Sequence, residues 1–237
     1  MNQNVSEAVQ NLLDRALIMQ CEKPPFIVNP LTVSVQSSGK KRLILDLRVV
    51  NKHLWKQSVK YEDIKVALTF LQKGFFMVKF DLTSAYHFVE MFEPHTEFLG
   101  FSWRDEYGNA KFYKFLVLQF GLSSACYLFT KLTRPLVSKW RGEGKLVTMF
   151  LDDGFGCGKN YDQSLDMGRQ IKQDLLSSGF VPNHDKSVWI PVQVLPFLGT
   201  VLNFSDGLFP SLNLDFSRSK ILLIVYWTRL NRVGVWP

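Results

Sequence analysis

The chain has 237 residues, enough to bury the core of one large domain or of two small lobes. Hydrophobic residues make up 46% and charged residues 21%, which is the composition of a globular protein and excludes a low-complexity chain. The formal net charge of +7 favours a polyanionic partner, because lysine and arginine displace counterions from phosphates, although a basic protein without such a partner would carry the same charge.

The cysteines and the apolar runs exclude further classes of protein. The three cysteines lie far apart with no Cys-x-x-Cys pair, so the sequence predicts neither a disulfide framework nor a zinc site. Glu7 and Asp14 interrupt the N-terminal segment where a signal peptide needs an apolar core. The longest apolar run, residues 221–227, is too short to span a bilayer. We therefore expect an intracellular protein, cytoplasmic or nuclear, that is neither secreted nor bound to a membrane.

The first third of the chain predicts two helices separated by two strands. Apolar residues recur at helical spacing between positions 9 and 17, with Ser6 as the predicted N-terminal cap. Residues 26–47 predict two strands around a turn at residues 37–39, and the second arm is basic at its start. Apolar positions from 64 to 71 predict a short helix that ends at Gly74.

The remainder of the chain predicts strands and helices in alternation. Residues 75–80 form a compact apolar run that predicts a buried strand ending at Asp81. A strand pair is predicted around residues 105–109, followed by a helix over residues 123–140 that Pro135 should kink or end.

The last predicted elements are a hairpin and a helix. Residues 147–151 and the segment from 155 onward are apolar, and residues 152–154 supply the predicted turn. A helix over residues 165–175 is predicted to end at Gly179. This interleaving of strands and helices favours an α+β or mixed architecture.

Two of the predicted elements end in aspartates that could carry chemistry. Asp81 closes an apolar strand, and Asp152 and Asp153 sit at the tip of the predicted hairpin. Nucleotidyl transfer needs two divalent ions held mainly by carboxylates on rigid supports, which neighbouring strand ends can provide. Taken one at a time, an Asp-Asp-Gly sequence is usually only a turn, and an aspartate after a strand is usually a helix cap.

Six ordered segments of the chain resemble motifs of reverse transcriptases. They are residues 42–52, 80–86, 118–125, 150–153, 179–187 and 197–199. Phe80-Asp81 resembles the first catalytic motif, and Phe150-Leu151-Asp152-Asp153 resembles the aromatic-x-Asp-Asp motif. The resemblance covers about residues 24–205, and within the family the chain looks nearest to retrotransposons of the DIRS type.

The resemblance implies a two-metal nucleotidyltransferase. Asp81 and Asp152 would hold two Mg²⁺ ions with help from Asp153 and the main-chain carbonyl of Leu82, and Mn²⁺ could substitute. Lys186 would act as the general acid towards the pyrophosphate leaving group, although a lysine in isolation is usually a solvated side chain.

The resemblance also assigns contacts with the incoming nucleotide. Arg42 would bind the triphosphate with help from Lys40 or Lys41, whose other interpretation is an exposed, solvated turn. Tyr86 occupies the position of the steric gate that excludes the ribose 2′-hydroxyl. The nascent base pair would be flanked by Phe120 and by Gly121, which allows close approach of the backbone.

Other positions are assigned a structural part or depart from the family pattern. The primer grip is expected at Phe197, Leu198 and Gly199. Asp46 and Arg48 are predicted to be a structural pair. Gln119 stands where the family commonly has proline, and Cys126 stands where proline or a similar small residue is frequent. Neither departure removes a catalytic group.

The implied fold is α+β, the fingers and palm of a right-hand polymerase with an antiparallel palm sheet backed by helices and a truncated thumb. The expected division is residues 1–75 (N-terminal helix and fingers), 76–90 (palm with the first catalytic motif), 91–125 (insertion and nucleotide-pocket segment), 126–205 (palm with the Asp-Asp and primer-grip-like hairpins) and 206–237 (truncated thumb or tail).

The expected function is RNA-directed DNA polymerase of a retroelement, adding deoxynucleotides to a primer 3′-hydroxyl. The expected partners are an RNA or DNA template with its primer, deoxynucleoside triphosphates, and other element-encoded domains such as RNase H or a recombinase. One alternative is a decayed, non-catalytic nucleic-acid-binding fragment of the same fold. A second alternative is an unrelated domain with fortuitous aspartates, which a structure with Asp81 far from Asp152 would establish.

Overall fold

The structure is a computed structural model that describes residues 2–35, 41–55, 57–70, 72–104 and 107–205. For residues 2–4, 34–35 and 41–42 it describes the backbone alone. The thumb or tail expected at residues 206–237 and the turn expected at residues 37–39 lie outside this range.

The described elements alternate between helix and strand, as expected for an α+β fold. The helices are α1 (Asn2–Asp14), α2 (Arg48–His53), α3 (Ile64–Thr69), α4 (Glu93–Thr96), α5 (Ala125–Gly142) and α6 (Tyr161–Ser177), with a 3-10 helix at Ala85–Phe88. The strands are β1 (Ile18–Cys21), β2 (Val28–Asn29), β3 (Leu31–Val35), β4 (Lys41–Leu45), β5 (Phe76–Asp81), β6 (Gly100–Arg104), β7 (Ala110–Phe115), β8 (Leu146–Phe150), β9 (Asp153–Gly158), β10 (Val188–Val192), β11 (Val194–Phe197) and β12 (Thr200–Asn203).

The strands form two four-stranded sheets and two hairpins. The central sheet has the order β10-β5-β9-β8 and is antiparallel throughout. A second sheet has the order β1-β7-β6-β2, in which only β2 and β6 pair in parallel. The hairpins are β3–β4 and β11–β12. None of the helices in the described part of the chain is long and apolar enough to cross a membrane.

The central sheet is covered on both faces, which explains the continuous apolar run of β5. On one face Val78 and Phe80 belong to a core cluster with side chains of α5 and α6. On the other face Met77 belongs to a second cluster with side chains of β9 and of the β11–β12 hairpin. Met77 and Val78 are both fully buried, so successive residues of β5 pack into different cores.

The predicted cap of α1 at Ser6 and a helix end at Pro135 are both wrong, and each has a physical reason. α1 begins at Asn2, so Ser6 lies inside the helix, where its hydroxyl accepts a hydrogen bond from Trp103 Nε1 at 3.0 Å. α5 runs through Pro135 to Gly142. Pro135 and Lys131, whose carbonyl loses its helical partner, are both exposed, so water can satisfy that group while the opposite face stays packed.

Smaller differences concern the ends of elements. α3 ends at Thr69, before the expected stop at Gly74. The turn of the β8–β9 hairpin consists of Leu151 and Asp152, so Asp153 belongs to β9 and not to the turn. The predicted stop after α6 is confirmed, because Gly179 adopts a left-handed φ of 82° just beyond the helix.

Candidate active site

The three aspartates meet at one end of the central sheet. The register pairs Phe80 with Gly154 and Asp81 with Asp153 across β5 and β9. The Leu82 N–H donates to the Asp152 carbonyl at 2.9 Å, which ties the end of β5 to the hairpin turn. Leu151, the other turn residue, has a φ of 53°, as a tight two-residue turn requires. The structure therefore excludes the alternative in which Asp81 lies far from Asp152.

The glycine after the aspartates is required by packing. A Cβ atom on Gly154 would lie 2.0 Å from the tip of the Phe80 ring. That ring is buried, stacked on Trp189 at 5.8 Å and set edge-on to Trp140 at 6.1 Å, so it has no room to retreat. The close approach of the two strands therefore depends on the missing side chain, and it holds Asp153 opposite Asp81.

Lys186 contacts Asp81 from the segment between α6 and β10. Its Nζ lies 3.1 Å from Asp81 Oδ2, and its side chain is 63% exposed. The backbone around it is anchored to β5, since Asn183 N–H donates to the Asp81 carbonyl at 2.7 Å and Asp81 N–H donates to Ser187 Oγ at 3.2 Å. The structure thus brings together the lysine and the aspartates that the sequence motifs single out.

The electrostatics of this cluster are those of crowded carboxylates. Burial raises the pKa of Asp152, the charge of Asp81 raises it further, and Lys186 opposes both effects. Burial also raises the pKa of Asp153, together with the charges of Asp152 and Asp81. Among the residues that the structure describes, no three carboxylate, imidazole or thiol groups are arranged to hold a metal ion.

The backbone around Leu82 leaves its carbonyl outside the local pairing. Leu82 forms an isolated antiparallel bridge with Pro182. The two hydrogen bonds of that bridge end on the carbonyls of Asp81 and Val181, at 2.7 and 2.8 Å. The Leu82 carbonyl therefore takes no part in this bridge. Its predicted role as a neutral metal ligand requires this.

The predicted sugar and base contacts lie beside the aspartates. Tyr86 sits on the 3-10 helix, and its ring packs edge-on to Phe120 at 4.5 Å. Phe120 is 56% exposed, so one face remains open to a ligand. Burial raises the pKa of the Tyr86 phenol, and the charge of Asp152 is among the smaller causes. Tyr86 therefore lies close to the turn of the β8–β9 hairpin. Gly121 has a φ of 91°, a conformation that favours glycine.

Sequence reasoning missed the part played by Asn51. Its Nδ2 donates to the Gly121 carbonyl at 2.8 Å, and its Oδ1 accepts from the Ser123 N–H at 2.8 Å. One amide side chain on α2 therefore binds two backbone groups of residues 121–123, the pocket loop that precedes α5. The only available signal was its place in the Asn-Lys pair that ends the first motif.

The residues that are predicted to bind the triphosphate are described only in part. Lys40 lies outside the described residues, and Lys41 and Arg42 are described as backbone of β4, opposite Val35 and Ser34 of β3. The predicted pair at the end of this hairpin is confirmed, since Arg48 Nη2 lies 2.6 Å from Asp46 Oδ2.

The primer-grip-like segment forms the predicted hairpin. Leu198 and Gly199 make its turn, with φ values of 45° and 76°. Phe197 is buried against Phe155 at 5.3 Å, so it anchors the hairpin to the central sheet. Gln119, at a position where the family often has proline, is buried and donates to the Val117 carbonyl at 3.3 Å.

Comparisons with known proteins agree with this geometry. Residues 30–202 match the family described as "Reverse transcriptase (RNA-dependent DNA polymerase)". The chain is 25% identical over 211 residues to the retrovirus-related Pol polyprotein from transposon opus of Drosophila melanogaster, covering 88% of this chain and 20% of the relative. It is 25% identical over 152 residues to the Pol polyprotein from transposon gypsy of the same species, covering 64% and 14%. The chain thus spans a fifth or less of these relatives.

Solved structures show the same fold. The foamy viral protease-reverse transcriptase in complex with double-stranded DNA superposes with a TM-score of 0.73 at 19% identity, covering 84% of this chain and 33% of the other. The same enzyme in complex with an RNA/DNA hybrid gives 0.71 at 18% identity, covering 86% and 26%. The likeness confirms the α+β polymerase fold expected from the sequence.

Proposed function

The chain belongs to the reverse transcriptase (RNA-dependent DNA polymerase) family, and from that premise we propose that it is the polymerase core of a retroelement, adding deoxynucleotides to a primer 3′-hydroxyl. One observation carries the proposal. Two segments about seventy residues apart in sequence bring Asp81 beside Asp152 and Asp153, and Lys186 reaches the same carboxylates.

The chemistry of the three aspartates suits the Mg²⁺ ions predicted from the sequence, with Mn²⁺ as a substitute. Magnesium prefers hard oxygen ligands and keeps several waters, so few protein groups are needed. Asp81 and Asp152 would hold the ions, assisted by Asp153 and the Leu82 carbonyl. Bound there, two ions would activate the primer oxygen and stabilise charge on the leaving group. The ion pair between Asp81 and Lys186 would have to open, because Lys186 now occupies one carboxylate oxygen of Asp81.

The remaining residues would bind and orient the substrates. Lys186, released from Asp81, would donate the proton at Nζ to the pyrophosphate oxygen that leaves. Arg42 would bind the triphosphate through its planar guanidinium, with Lys40 or Lys41 nearby. Tyr86 would exclude the ribose 2′-hydroxyl while Phe120 and Gly121 flank the base pair.

A template-primer duplex is the proposed macromolecular partner. The net charge of +7 favours a polyanion, and two structural neighbours are complexes with double-stranded DNA and with an RNA/DNA hybrid. The primer grip at residues 197–199 and the division into fingers and palm remain proposals of the same resemblance. Assignment to the DIRS type also stays a prediction, which the transposon relatives described above do not support.

The first test is primer extension on an RNA template with magnesium and deoxynucleotides. We expect Asp152→Asn to lower incorporation by at least about a thousandfold, because it removes a charged metal ligand. Asp166→Asn is the matched control, since this aspartate is exposed on α6. Duplex binding that weakens with salt, without incorporation by folded wild type even with manganese, would support the non-catalytic alternative.

A further inference from the structure

The phenol of Tyr86 is held by the thiol of Cys126. Tyr86 is only 3% exposed, and its hydroxyl donates to Cys126 Sγ at 3.3 Å. A buried phenol needs a hydrogen-bond partner, since leaving it unpaired is costly. The sulfur of Cys126 supplies that partner, since sulfur can accept a hydrogen bond.

The backbone that carries this thiol is fixed in place. Cys126 lies in the first turn of α5, and its carbonyl accepts a hydrogen bond from Thr130 Oγ1 at 2.7 Å. The Tyr86 ring packs against Phe120 at 4.5 Å and Phe129 at 5.0 Å, and Phe129 is fully buried on the same helix. Packing therefore restricts the ring plane, and the hydrogen bond restricts the end of the ring that carries the hydroxyl.

A second tyrosine lies beside the β8–β9 hairpin. The Tyr61 ring lies 5.7 Å from the ring of Phe150, the aromatic residue that precedes Leu151 and Asp152. Burial raises the pKa of the Tyr61 phenol, and Cys126 raises it further.

We propose that Cys126 is a positioning residue for sugar discrimination: its sulfur holds the Tyr86 phenol, and thereby sets how closely the Tyr86 ring approaches the nucleotide sugar. The inference rests on the proposed function, in which Tyr86 faces the position of the ribose 2′-hydroxyl. A thiol that only filled space would affect stability and leave the choice of sugar unchanged.

The test measures the ratio of kcat/KM for a deoxynucleoside triphosphate to that for the matching ribonucleoside triphosphate. The variants are Cys126→Ala, Cys126→Ser, Tyr86→Phe and the double variant of Cys126→Ala with Tyr86→Phe. Cys21→Ala is the control, because Cys21 lies on β1 of the second sheet, where its thiol donates to the Met19 carbonyl at 3.9 Å. Thermal unfolding and equilibrium binding of both triphosphates are measured on every protein.

The expected result is a ratio lowered about three- to tenfold in Cys126→Ala, the factor of one ordinary hydrogen bond. Cys126→Ser should keep the ratio within about twofold of wild type, because its oxygen can accept the same hydrogen bond. Tyr86→Phe should lower the ratio similarly, and the double variant should lower it no further, because both changes remove one contact.

The inference would be overturned by an unchanged ratio in folded Cys126→Ala, or by effects that multiply in the double variant. Incorporation by wild type would uphold the proposed function in either case. Wild type that neither incorporates nor binds either triphosphate would overturn both. If Cys126→Ala does not fold, Cys126→Ser and Tyr86→Phe provide the test. Loss of sugar discrimination in Cys126→Ser, or unchanged discrimination in Tyr86→Phe, would contradict a role for this hydrogen bond.

Discussion

The central sheet and the β3–β4 hairpin carry different halves of the proposed site and are built differently. β5 pairs with a strand on each side and has an apolar cluster on each face. The strands β3 and β4 pair only with each other in the described structure, and Ile44 on β4 is 43% exposed. The aspartates belong to the first region, and Arg42 belongs to the second.

The difference matches the demands of the chemistry proposed for each region. Metal-assisted transfer needs ligands held to within about 0.5 Å, which a sheet packed on both faces can provide. A two-stranded ribbon is only marginally stable by itself, so it tolerates movement. Long cationic side chains can follow a triphosphate through such movement. We therefore expect substitutions in the central sheet to cost stability, and substitutions in the hairpin to affect nucleotide affinity.

The largest effect is expected for Gly154→Ala. The added methyl group would overlap the Phe80 ring, which Trp140 and Trp189 hold in place. We expect a loss of about 3 kcal/mol in the free energy of unfolding, as for overpacked cores. Chemical denaturation measures it, with Gly142→Ala as the control, because a Cβ at that helical glycine meets nothing within 4 Å. Equal stability of the two variants would contradict the close packing at Gly154.

A smaller loss is expected for Asp174→Asn, in the helices behind the central sheet. The Asp174 carboxylate accepts hydrogen bonds from Lys139 Nζ (2.9 Å), Trp140 Nε1 (2.8 Å) and Gln170 Nε2 (3.0 Å). An amide has a single acceptor oxygen and places a donor among these donors. We expect a loss of about 2 kcal/mol at neutral pH, measured by denaturation.

The same substitution predicts a pH dependence. Burial raises the pKa of Asp174, but the hydrogen bonds, that of Lys139 first, outweigh it and leave the pKa below its usual value. The stabilisation is therefore complete above the unfolded pKa of about 3.9 and is lost as pH falls below about 4. The difference between wild type and Asp174→Asn should shrink below pH 4, whereas Asp166→Asn should stay close to wild type. A difference that grows on acidification would reverse the assigned sign.

Asn51→Ala tests the contact between α2, which follows the hairpin, and the loop that precedes α5. It removes both hydrogen bonds from α2 to the pocket loop, so we expect about 1 kcal/mol less stability and a KM for deoxynucleotide raised about fivefold. Asn51→Asp keeps the acceptor for the Ser123 N–H and should fall between alanine and wild type. Primer extension at varied nucleotide concentration measures the change, and an unaltered KM would show that the loop needs no such support.

The smallest effect on stability is expected for Arg42→Ala. A lost guanidinium contact with the triphosphate should raise the KM for deoxynucleotide about tenfold, while the melting temperature stays within about 1 °C because the proposed contact is made with the substrate and not within the fold. Arg48→Ala is the matched control, since Arg48 is exposed and pairs with Asp46. A large loss of stability in Arg42→Ala would contradict the contrast between the two regions.

Local sequence patterns were sufficient to predict two parts of the central sheet. The apolar run before Asp81 predicts its strand, and two apolar runs around the Asp-Asp pair predict the hairpin, because side-chain burial and turn formation depend on neighbours in sequence. The family resemblance then predicted that these aspartates and Lys186 share a site.

Other features required contacts between residues far apart in sequence. Ser6 bonds to Trp103 across the fold, Asn51 bonds to a loop seventy residues away, and Pro135 is tolerated because it faces water. The partner of the Tyr86 phenol, forty residues further along the chain, was equally invisible in the sequence. The sequence by itself determined the strand that ends at Asp81, the hairpin that carries the Asp-Asp pair and the residues that could do chemistry. Only the tertiary structure decided which polar groups meet, because a buried donor takes whichever acceptor the packing brings within reach.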